Sequence, residues 1–287
     1  MMKAFYSITS TATATWNSRV AEQVRDLLKH IALVGAFARV SLMSELEYRF
    51  NFAVRIFTDV IWYIAQLSVF EVLFQHTDSL SGWTLASMRV FMGVLFLTDS
   101  IYMMLFSENL DRLSDRIRRG DLDLLLVKPV SSQWMLSFQK ISVAYFGNFI
   151  ISALWLGWSL TQVPDFQWWR LLWLLVCVPC GVIVVYAIRF STASTALYFT
   201  KADAINYIWY QLYRLGTRPD TVYPKVLRYA VLSVLPIAFL ASVPAQVILN
   251  RTGPEMVLWG IALASLMLAV SSWIWKTGLK RYASASS

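Results

Sequence analysis

The chain has 287 residues, of which 57% are hydrophobic and only 15% are charged, and its formal net charge is +8. A water-soluble globular protein usually has about a quarter of its residues charged, so this composition excludes a typical cytosolic enzyme and a disordered chain. The two cysteines, Cys177 and Cys180, lie in one apolar run, and the two histidines are His30 and His76. These numbers exclude a disulfide framework and a four-ligand metal site built from Cys and His.

The first 54 residues precede any long apolar run. Residues 1–20 are rich in Ser, Thr and Ala and lack the apolar core of a signal peptide, so we expect a flexible segment that is not a cleaved leader. Residues 21–54 predict an amphipathic helix in the headgroup plane, because Leu27, Leu28, Ile31, Val34 and Ala38 share one face. Such a helix either has a function in the protein's activity or only fixes the orientation of the first span.

Six apolar runs predict six transmembrane helices within residues 55–287, which makes the chain an all-α, polytopic membrane protein. A bilayer core about 30 Å thick needs roughly 20 apolar residues in a helix, because lipid offers no partner for free backbone groups. The last four runs contain no Asp, Glu, Lys or Arg. The six runs are 56–74, 88–106, 141–160, 171–188, 230–249 and 256–275.

The distribution of basic residues predicts the orientation of these spans. Six spans place 22 of the 25 Lys and Arg residues on one face and leave Arg89, Arg170 and Arg251 on the other. The positive-inside rule then puts both termini in the cytoplasm. Within the inner connection 189–229, the polar residues Lys201, Asp203 and Asn206 interrupt the apolar stretch 190–213. This stretch predicts an amphipathic inner helix, although partial embedding in the membrane stays open.

Residues 108–119, between the second and third predicted spans, predict a short inner helix with one apolar stripe. Leu110, Leu113 and Ile117 recur at helical spacing among charged residues, and Gly120 follows where a helix C-cap is expected. A Leu-rich segment and Lys128-Pro129 come next, and the proline disfavours helix at the residue before it. The stripe needs a surface to pack on, which could be the protein's own inner rim, the headgroup layer or another protein.

Several residues inside the predicted spans are candidates for a substrate path. Asp99 lies midway through the second span, and a carboxylate at that depth costs a few kcal/mol unless it faces a cavity or a partner. It either lines the path or makes a structural hydrogen bond. Prolines in the fourth and fifth spans either serve as hinges or are simply tolerated. The candidate path residues are Asp99, Tyr102, Asp59, Pro236 and Pro244.

Three stretches resemble one family. Arg118 to Val130, with Gly120 and Lys128-Pro129, is similar to the inner-loop signature of bacterial ATP-binding cassette (ABC) exporter permeases of the second exporter class. Arg218 to Pro224, followed by Pro236 and Pro244, and the C-terminus from Gly278 resemble one branch of that family. Together these motifs cover the chain from about residue 55 to its end.

The resemblance implies a permease subunit in a bacterial inner membrane, paired with a second permease, homologous or identical, and with two ABC ATPase subunits. The chain contains no Gly-x-x-x-x-Gly-Lys-Ser/Thr motif, so we expect it to hold no cofactor itself and the ATPase subunits to bind ATP and Mg. By analogy the helix 108–119 would be the coupling helix. The residues expected to contact the ATPase are Asp111, Arg112, Leu113, Arg116, Ile117, Arg119, Gly120, Lys128 and Pro129.

The substrate is expected to be amphipathic or lipid-like, because the outer connections are short and the spans carry few polar groups. Two alternatives come from other classes of protein. One is a membrane-embedded enzyme that modifies lipids, with a site made from Asp59, Asp99 and Tyr102. The other is a scaffold that transports nothing and anchors a cytoplasmic complex through residues 108–130.

Overall fold

A computed structural model describes residues 29, 32–45, 47, 49–128, 130–198 and 203–282. In these ranges every regular element is helical. The α-helices that follow residue 48 are α1 (Arg49–Phe74), α2 (Leu85–Tyr102), α3 (Glu108–Asp111), α4 (Leu113–Arg119), α5 (Asp123–Leu126), α6 (Ser132–Phe138), α7 (Tyr145–Thr161), α8 (Leu174–Ser194), α9 (Asp203–Gly216), α10 (Lys225–Tyr229), α11 (Ser242–Ile248) and α12 (Glu255–Leu279). Met103–Ser107 and Ala230–Val234 are π-helical, and Trp168–Trp173, Thr195–Leu197, Asp220–Val222 and Ile237–Leu240 form 3₁₀ turns.

Four helices in the described part of the chain are long and apolar enough to cross a membrane. They are Ala53–Phe74, Leu85–Arg119, Trp168–Leu197 and Glu255–Leu279. They coincide with the first, second, fourth and sixth predicted spans. The third predicted span coincides with α7, whose 17 residues rise about 26 Å. The count of six spans therefore stays a prediction.

The helices differ in how much of their surface the protein itself covers. α2 is buried on most sides, because it packs along α7 and also contacts α1 and α8. α12 packs along α8 in the same way. In contrast, α1 exposes large apolar side chains such as Phe57, Ile61 and Ile64. An apolar face of this size requires an apolar environment such as lipid or a second membrane protein.

The helical residues 32–45 lie against the segment that precedes α7. Their partly or fully buried positions 33, 34, 37, 38, 41 and 45 recur at helical spacing. Ser41 Oγ accepts the Ile141 N–H at 3.2 Å, and Glu45 Oε2 accepts the Ala144 N–H at 2.9 Å. Burial raises the pKa of the Glu45 carboxyl. Residues 1–28, 30, 31, 46 and 48 of the predicted flexible and amphipathic region lie outside the described residues.

Contacts between the connections define the two ends of the bundle. At the end that we name the loop-helix end, α3 to α6 meet the C-terminal ends of α8 and α12. Ser114 Oγ donates to the Ala193 carbonyl at 3.4 Å, and Trp275 Nε1 donates to Ser132 Oγ at 3.0 Å. At the opposite end, Trp83 lies in the connection between α1 and α2.

The structure corrects the sequence prediction between residues 189 and 249. Trp83 Nε1 donates to Thr221 Oγ1 at 2.9 Å, and the Arg251 guanidinium lies 4.5 Å from the centroid of the Trp83 ring. Thr221 therefore lies at the opposite end and not in an inner connection. Because Tyr198, before α9, bonds to the Ile274 carbonyl at the loop-helix end, α9 runs from that end to the other. Of the two possibilities open for 190–213, an inner-surface helix or embedding in the membrane, the position of α9 favours embedding.

The predicted fifth span, 230–249, is likewise not a single helix. Residues 225–248, which we name the re-entrant segment, start and finish at the opposite end. Near its start Arg228 Nε donates to Asp220 at 2.7 Å, and near its finish Ser242 and Gln246 donate to the same carboxylate. Pro236 stands at the deep turn between the π-helical and 3₁₀ stretches. A proline lacks the N–H that a continuous helix would need there.

The tip of the re-entrant segment approaches three helices through glycines. A Cβ on Gly181 of α8 would lie 2.4 Å from the Phe239 carbonyl oxygen. A Cβ on Gly216 of α9 would lie 2.8 Å from an Ile237 side-chain atom, and one on Gly260 of α12 would lie 2.7 Å from the Phe239 ring. Small residues allow this close approach of backbones, as between membrane helices. The tip is thereby held inside the bundle.

Candidate functional site

The predicted coupling helix continues α2 and does not stand apart in a loop. The π-helical turn Met103–Ser107 joins α2 to α3, and α4 follows after Arg112. The apolar stripe of Leu110, Leu113 and Ile117 is buried inside the chain. The stripe therefore packs on the protein's own inner rim. The prediction that Leu113 and Ile117 contact an ATPase is corrected, because neither side chain is on the surface.

The surface of this segment is formed by charged residues and by the turn that follows α5. Arg112, Asp115, Arg118 and Arg119 are exposed on α4 and at its start. Gly120 ends α4 with a left-handed φ of 79°, as the sequence predicts. Beyond α5, Val127 is 86% exposed and Leu126 40% exposed, and Lys128 is also exposed. The predicted contact residue Pro129 lies outside the described residues. We name the exposed face of 112–128 the loop surface.

An ion pair between a buried arginine and an exposed aspartate connects this segment to α8. Arg189, which is almost fully buried, donates to Asp111 Oδ1 through Nη2 at 2.7 Å and through Nε at 3.2 Å. Ser107 Oγ donates to the other Asp111 oxygen at 3.1 Å. The Arg189 guanidinium also lies 5.7 Å from the centroid of the Trp209 ring on α9. Asp111 is therefore tied to α8, but its side chain stays 41% exposed, and its contact with an ATPase remains a prediction.

A second polar cluster attaches the segment to the chain that follows α6. The buried Asn109 donates to the carbonyls of Ser137 and Lys140 at 2.9 and 2.7 Å, and its own carbonyl accepts the Lys140 N–H at 3.0 Å. Glu108 pairs with Lys140 and accepts the Ser142 hydroxyl at 2.7 Å. The predicted contact residue Arg116 donates to Gln139 and is half-buried. These bonds fix α3 and α4 on the bundle.

Two of the predicted path residues, Asp99 and Tyr102, lie on α2 beside α9. Asp99 is buried and accepts a hydrogen bond from the Tyr213 hydroxyl. The Tyr102 ring lies 6.3 Å from the Trp209 ring, and Trp209 lies 5.6 Å from Tyr213, measured between centroids. The structural hydrogen bond that the sequence left open for Asp99 is therefore present. Its donor comes from a helix that the sequence did not predict within the bundle.

The structure does not bring the other three predicted path residues to the same place. Asp59 on α1 accepts a hydrogen bond from Asn148 on α7 at 2.8 Å. Arg55, one turn before Asp59 on the same helix, donates to Tyr145 Oη at 2.8 Å. Pro236 and Pro244 belong to the re-entrant segment, where Pro244 occupies the first turn of α11 and leaves no helical bond unmade. The five residues therefore do not form one site.

A cavity of about 310 Å³ lies near the loop-helix end, between α6, α8 and α12. The lining is mainly apolar, and among its polar groups the Gln133 amide and the Ser137 hydroxyl both bond to the Tyr186 hydroxyl. Such a lining suits an amphipathic group. The lining residues are Phe106, Ser131, Gln133, Trp134, Ser137, Phe138, Ile183, Tyr186, Leu268 and Ser272.

Sequence reasoning missed the polar residues that organise these contacts. Arg189 follows the charge-free run 171–188, and a single Arg at the end of such a run was counted only toward orientation. Asn109 is flanked by the charged residues of the loop helix, so nothing in the sequence marks it as a buried residue. Trp209, Tyr210 and Tyr213 fall in a stretch that was assigned to the inner surface, although their aromatic side chains at helical spacing were a signal for packing.

These features define a multi-pass helical membrane protein with a charged loop segment fixed to its helix bundle. A family model described as ABC-2 family transporter protein matches residues 60–286. The chain therefore belongs to the ABC-2 transporter family, a family of membrane-embedded transport permeases that work in association with an ABC ATPase. No curated protein and no solved structure matches the chain. The branch of the family and the Lys128-Pro129 motif stay predictions.

Proposed function

We propose that the chain is the permease subunit of an ATP-driven exporter in the bacterial inner membrane. In this proposal two ABC ATPase subunits bind ATP and Mg, and a second permease, homologous or identical, completes the membrane domain. Both termini and the loop-helix end face the cytoplasm. Although the corrected topology moves Arg218, Lys225 and Arg228 to the opposite end, most of the basic residues still lie on the cytoplasmic side.

The observation that carries the proposal is the form of the loop surface. Its apolar stripe is already covered by the bundle, so what remains for a partner is a charged face with Val127 and Leu126 at its edge. An aliphatic side chain that is 86% exposed to water gains free energy when a partner covers it. A surface that combines charged residues with a small exposed apolar patch is of the mixed kind that protein interfaces use.

The attachments of the loop surface provide the route by which force from the ATPase would reach the spans. Asp111 and Arg189 join α3 to α8 inside the protein. Asn109 joins α3 to the chain between α6 and α7. A partner that displaces α4 therefore also displaces the helices that line the 310 Å³ cavity. We propose that this displacement opens a path for an amphipathic or lipid-like substrate.

The proposal is tested by Val127→Glu, with Val226→Glu as the matched control. Val127 and Val226 are the same residue at nearly the same exposure, 86% and 84%, but Val226 lies at the opposite end of the bundle. The tagged permease is isolated from its native membrane in a mild detergent, the co-purified proteins are identified by mass spectrometry, and ATPase activity is measured. Wild type and Val226→Glu should recover an ABC ATPase, and Val127→Glu should recover roughly tenfold less, because a charge is buried unpaired at the contact.

Two results would contradict the proposal. One is equal ATPase recovery with both variants, which would place the contact elsewhere. The other is isolation of wild type without any ATPase under conditions in which a known ABC transporter complex survives. Leu113→Glu is not a suitable test, because the buried site would unfold the loop segment and the loss of binding would have two causes.

A further inference from the structure

A second cavity, of about 120 Å³, lies between the end of α2 and α9. Pockets for drug-sized ligands measure roughly 300–1,000 Å³, so this one accommodates a single small group. Four of its seven lining residues are aromatic. The lining consists of Tyr102, Met103, Ser107, Asp111, Trp209, Tyr210 and Tyr213. We name it the aromatic cavity.

Three of the four aromatic rings of the cavity pack against one another in its wall. Trp209 is the central ring, with the Tyr102 centroid at 6.3 Å and the Tyr213 centroid at 5.6 Å. Tyr102 and Trp209 are buried, whereas Tyr210 is 54% exposed and forms the open side. Aromatic faces carry negative charge density and attract cations placed within about 6 Å of a ring centroid. Trp209 already makes such a contact with Arg189, whose guanidinium carbon lies 5.7 Å from the ring centroid.

The charges around the cavity favour a cation and oppose an anion. Asp111 lines the cavity, and its charge is balanced by Arg189. Asp99 does not line the cavity itself. It accepts a hydrogen bond from Tyr213, which does line the cavity, so its carboxylate lies directly behind the wall. Within the described residues no Lys or Arg forms an ion pair with Asp99. Asp99 thus adds a carboxylate behind the wall that no ion pair of the described residues balances.

The Ser107 and Tyr213 hydroxyls and the Asp111 carboxylate of the cavity already take part in hydrogen bonds within the protein. Ser107 donates to one Asp111 oxygen and Arg189 donates to the other, while Tyr213 donates to Asp99. A primary ammonium group has three N–H donors, each of which requires an acceptor. A quaternary ammonium group has no N–H and needs only π faces and a nearby negative charge. The cavity therefore fits the second kind of cation better.

We propose that the aromatic cavity binds a quaternary ammonium group, such as the trimethylammonium group of choline. This inference rests on the proposed function as an exporter. The exported substrate would then be a cationic amphipath or a lipid with such a headgroup. Binding itself does not require an ATPase. Failure of binding and failure of ATPase recovery are therefore separate results.

The test measures binding of radiolabelled choline to the full-length permease in nanodiscs of phosphatidylglycerol and phosphatidylethanolamine. Tetramethylammonium and 3,3-dimethylbutan-1-ol, the uncharged carbon isostere of choline, serve as competitors. Tyr210→Leu removes the exposed wall of the cavity. Tyr207→Leu is the matched control, because Tyr207 is on the same helix and 66% exposed but does not line the cavity.

We expect tetramethylammonium to compete and the neutral isostere not to compete. Tyr210→Leu should weaken choline binding roughly three- to tenfold, the loss of one partly exposed cation–π contact, and Tyr207→Leu should leave it unchanged. The proposal is overturned if choline does not bind saturably, if the isostere competes equally, or if both variants behave alike. A further series in phosphatidylcholine nanodiscs distinguishes a lipid headgroup from a soluble cation as the source of the quaternary ammonium group. Reduced choline binding there assigns the site to a lipid headgroup, and unchanged binding assigns it to a soluble or amphipathic cation.

Discussion

Gly181→Ala should destabilise the protein, because Gly181 makes the closest contact with the re-entrant segment. The added methyl group would lie 2.4 Å from the Phe239 carbonyl oxygen and 3.3 Å from a Thr98 methyl group. It would be about 1 Å too close to a carbonyl oxygen that belongs to a buried, tightly packed turn. A backbone atom cannot rotate away as the end of a side chain can. Overpacking of this kind costs about 1–3 kcal/mol.

Gly157→Ala provides the matched control for this substitution. Gly157 lies in α7, and a Cβ added there would meet no atom within 4 Å. Replacing glycine by alanine inside a helix gains up to about 1 kcal/mol from helix propensity, and this gain applies to both variants. The difference in unfolding free energy between the two variants therefore isolates the contact with Phe239, which we expect to be about 1–3 kcal/mol.

The assay is the apparent unfolding temperature in one detergent at one heating rate, followed by tryptophan fluorescence. A single heating rate matters because irreversible unfolding makes the midpoint depend on it. A change of 1 kcal/mol shifts the midpoint by roughly 2–4 °C in a protein of 150–250 residues. Gly181→Ala should therefore unfold at least about 2 °C below Gly157→Ala. Equal midpoints would refute the packing of residues 236–240 against α8, and with it the re-entrant path.

Two further predictions concern the loop-helix end. Asn109→Ala should lower the unfolding free energy by about 1–3 kcal/mol, because the carbonyls of Ser137 and Lys140 lose their buried donor; the same assay measures it, and an unchanged midpoint would contradict the role of Asn109. Burial raises the pKa of Glu45, so the folded state binds more protons than the unfolded state. The resulting stabilisation of the folded state is complete below the unfolded pKa of Glu45 and is lost as the pH rises through its folded pKa. Glu45→Gln keeps an acceptor for the Ala144 N–H and should remove this pH dependence, so parallel stability curves for wild type and variant would count against the argument.

Hydropathy predicts the helices that cross the bundle as long apolar runs, and here it found four of them. The runs 56–74, 88–106, 171–188 and 256–275 each fall within a helix long enough to span. Lipid forces this result, because a crossing segment must satisfy its own backbone groups and expose apolar side chains. The end of the loop helix at Gly120 followed from local backbone chemistry in the same direct way.

Hydropathy gave the wrong prediction at 230–249, because it indicates that a segment is buried but not whether the segment crosses the membrane or turns back. A re-entrant segment that is buried in protein is as apolar as a crossing helix. The signals against a helix were Pro236 at the turn and the polar residues Ser242 and Gln246, which bind the buried Asp220. α9 was missed for the converse reason. Its polar and tyrosine side chains lower its hydropathy, but Tyr213 satisfies its hydroxyl on Asp99 inside the bundle.

The candidate site shows a similar limit of sequence reasoning. Helical spacing identifies an apolar stripe at Leu110, Leu113 and Ile117, but spacing does not say which of three possible surfaces covers it. The structure places the stripe on the chain itself. The exposed part of the segment is then the charged face and Val127, whose importance depends on tertiary packing and not on any local pattern.

The Asp111 and Arg189 pair constrains how the loop surface can act on the bundle. Arg189 has almost no contact with solvent, so separating it from Asp111 would take a charged partner away from a buried guanidinium at a cost of several kcal/mol. A displacement of α3 and α4 that avoids this cost must carry α8 with it. α8 packs along α12, and Gly181 of α8 touches the tip of the re-entrant segment. The lowest-energy response to a push on the loop surface is therefore a joint movement of α3, α4 and α8, which would change the packing of the re-entrant tip and the width of the aromatic cavity at Asp111.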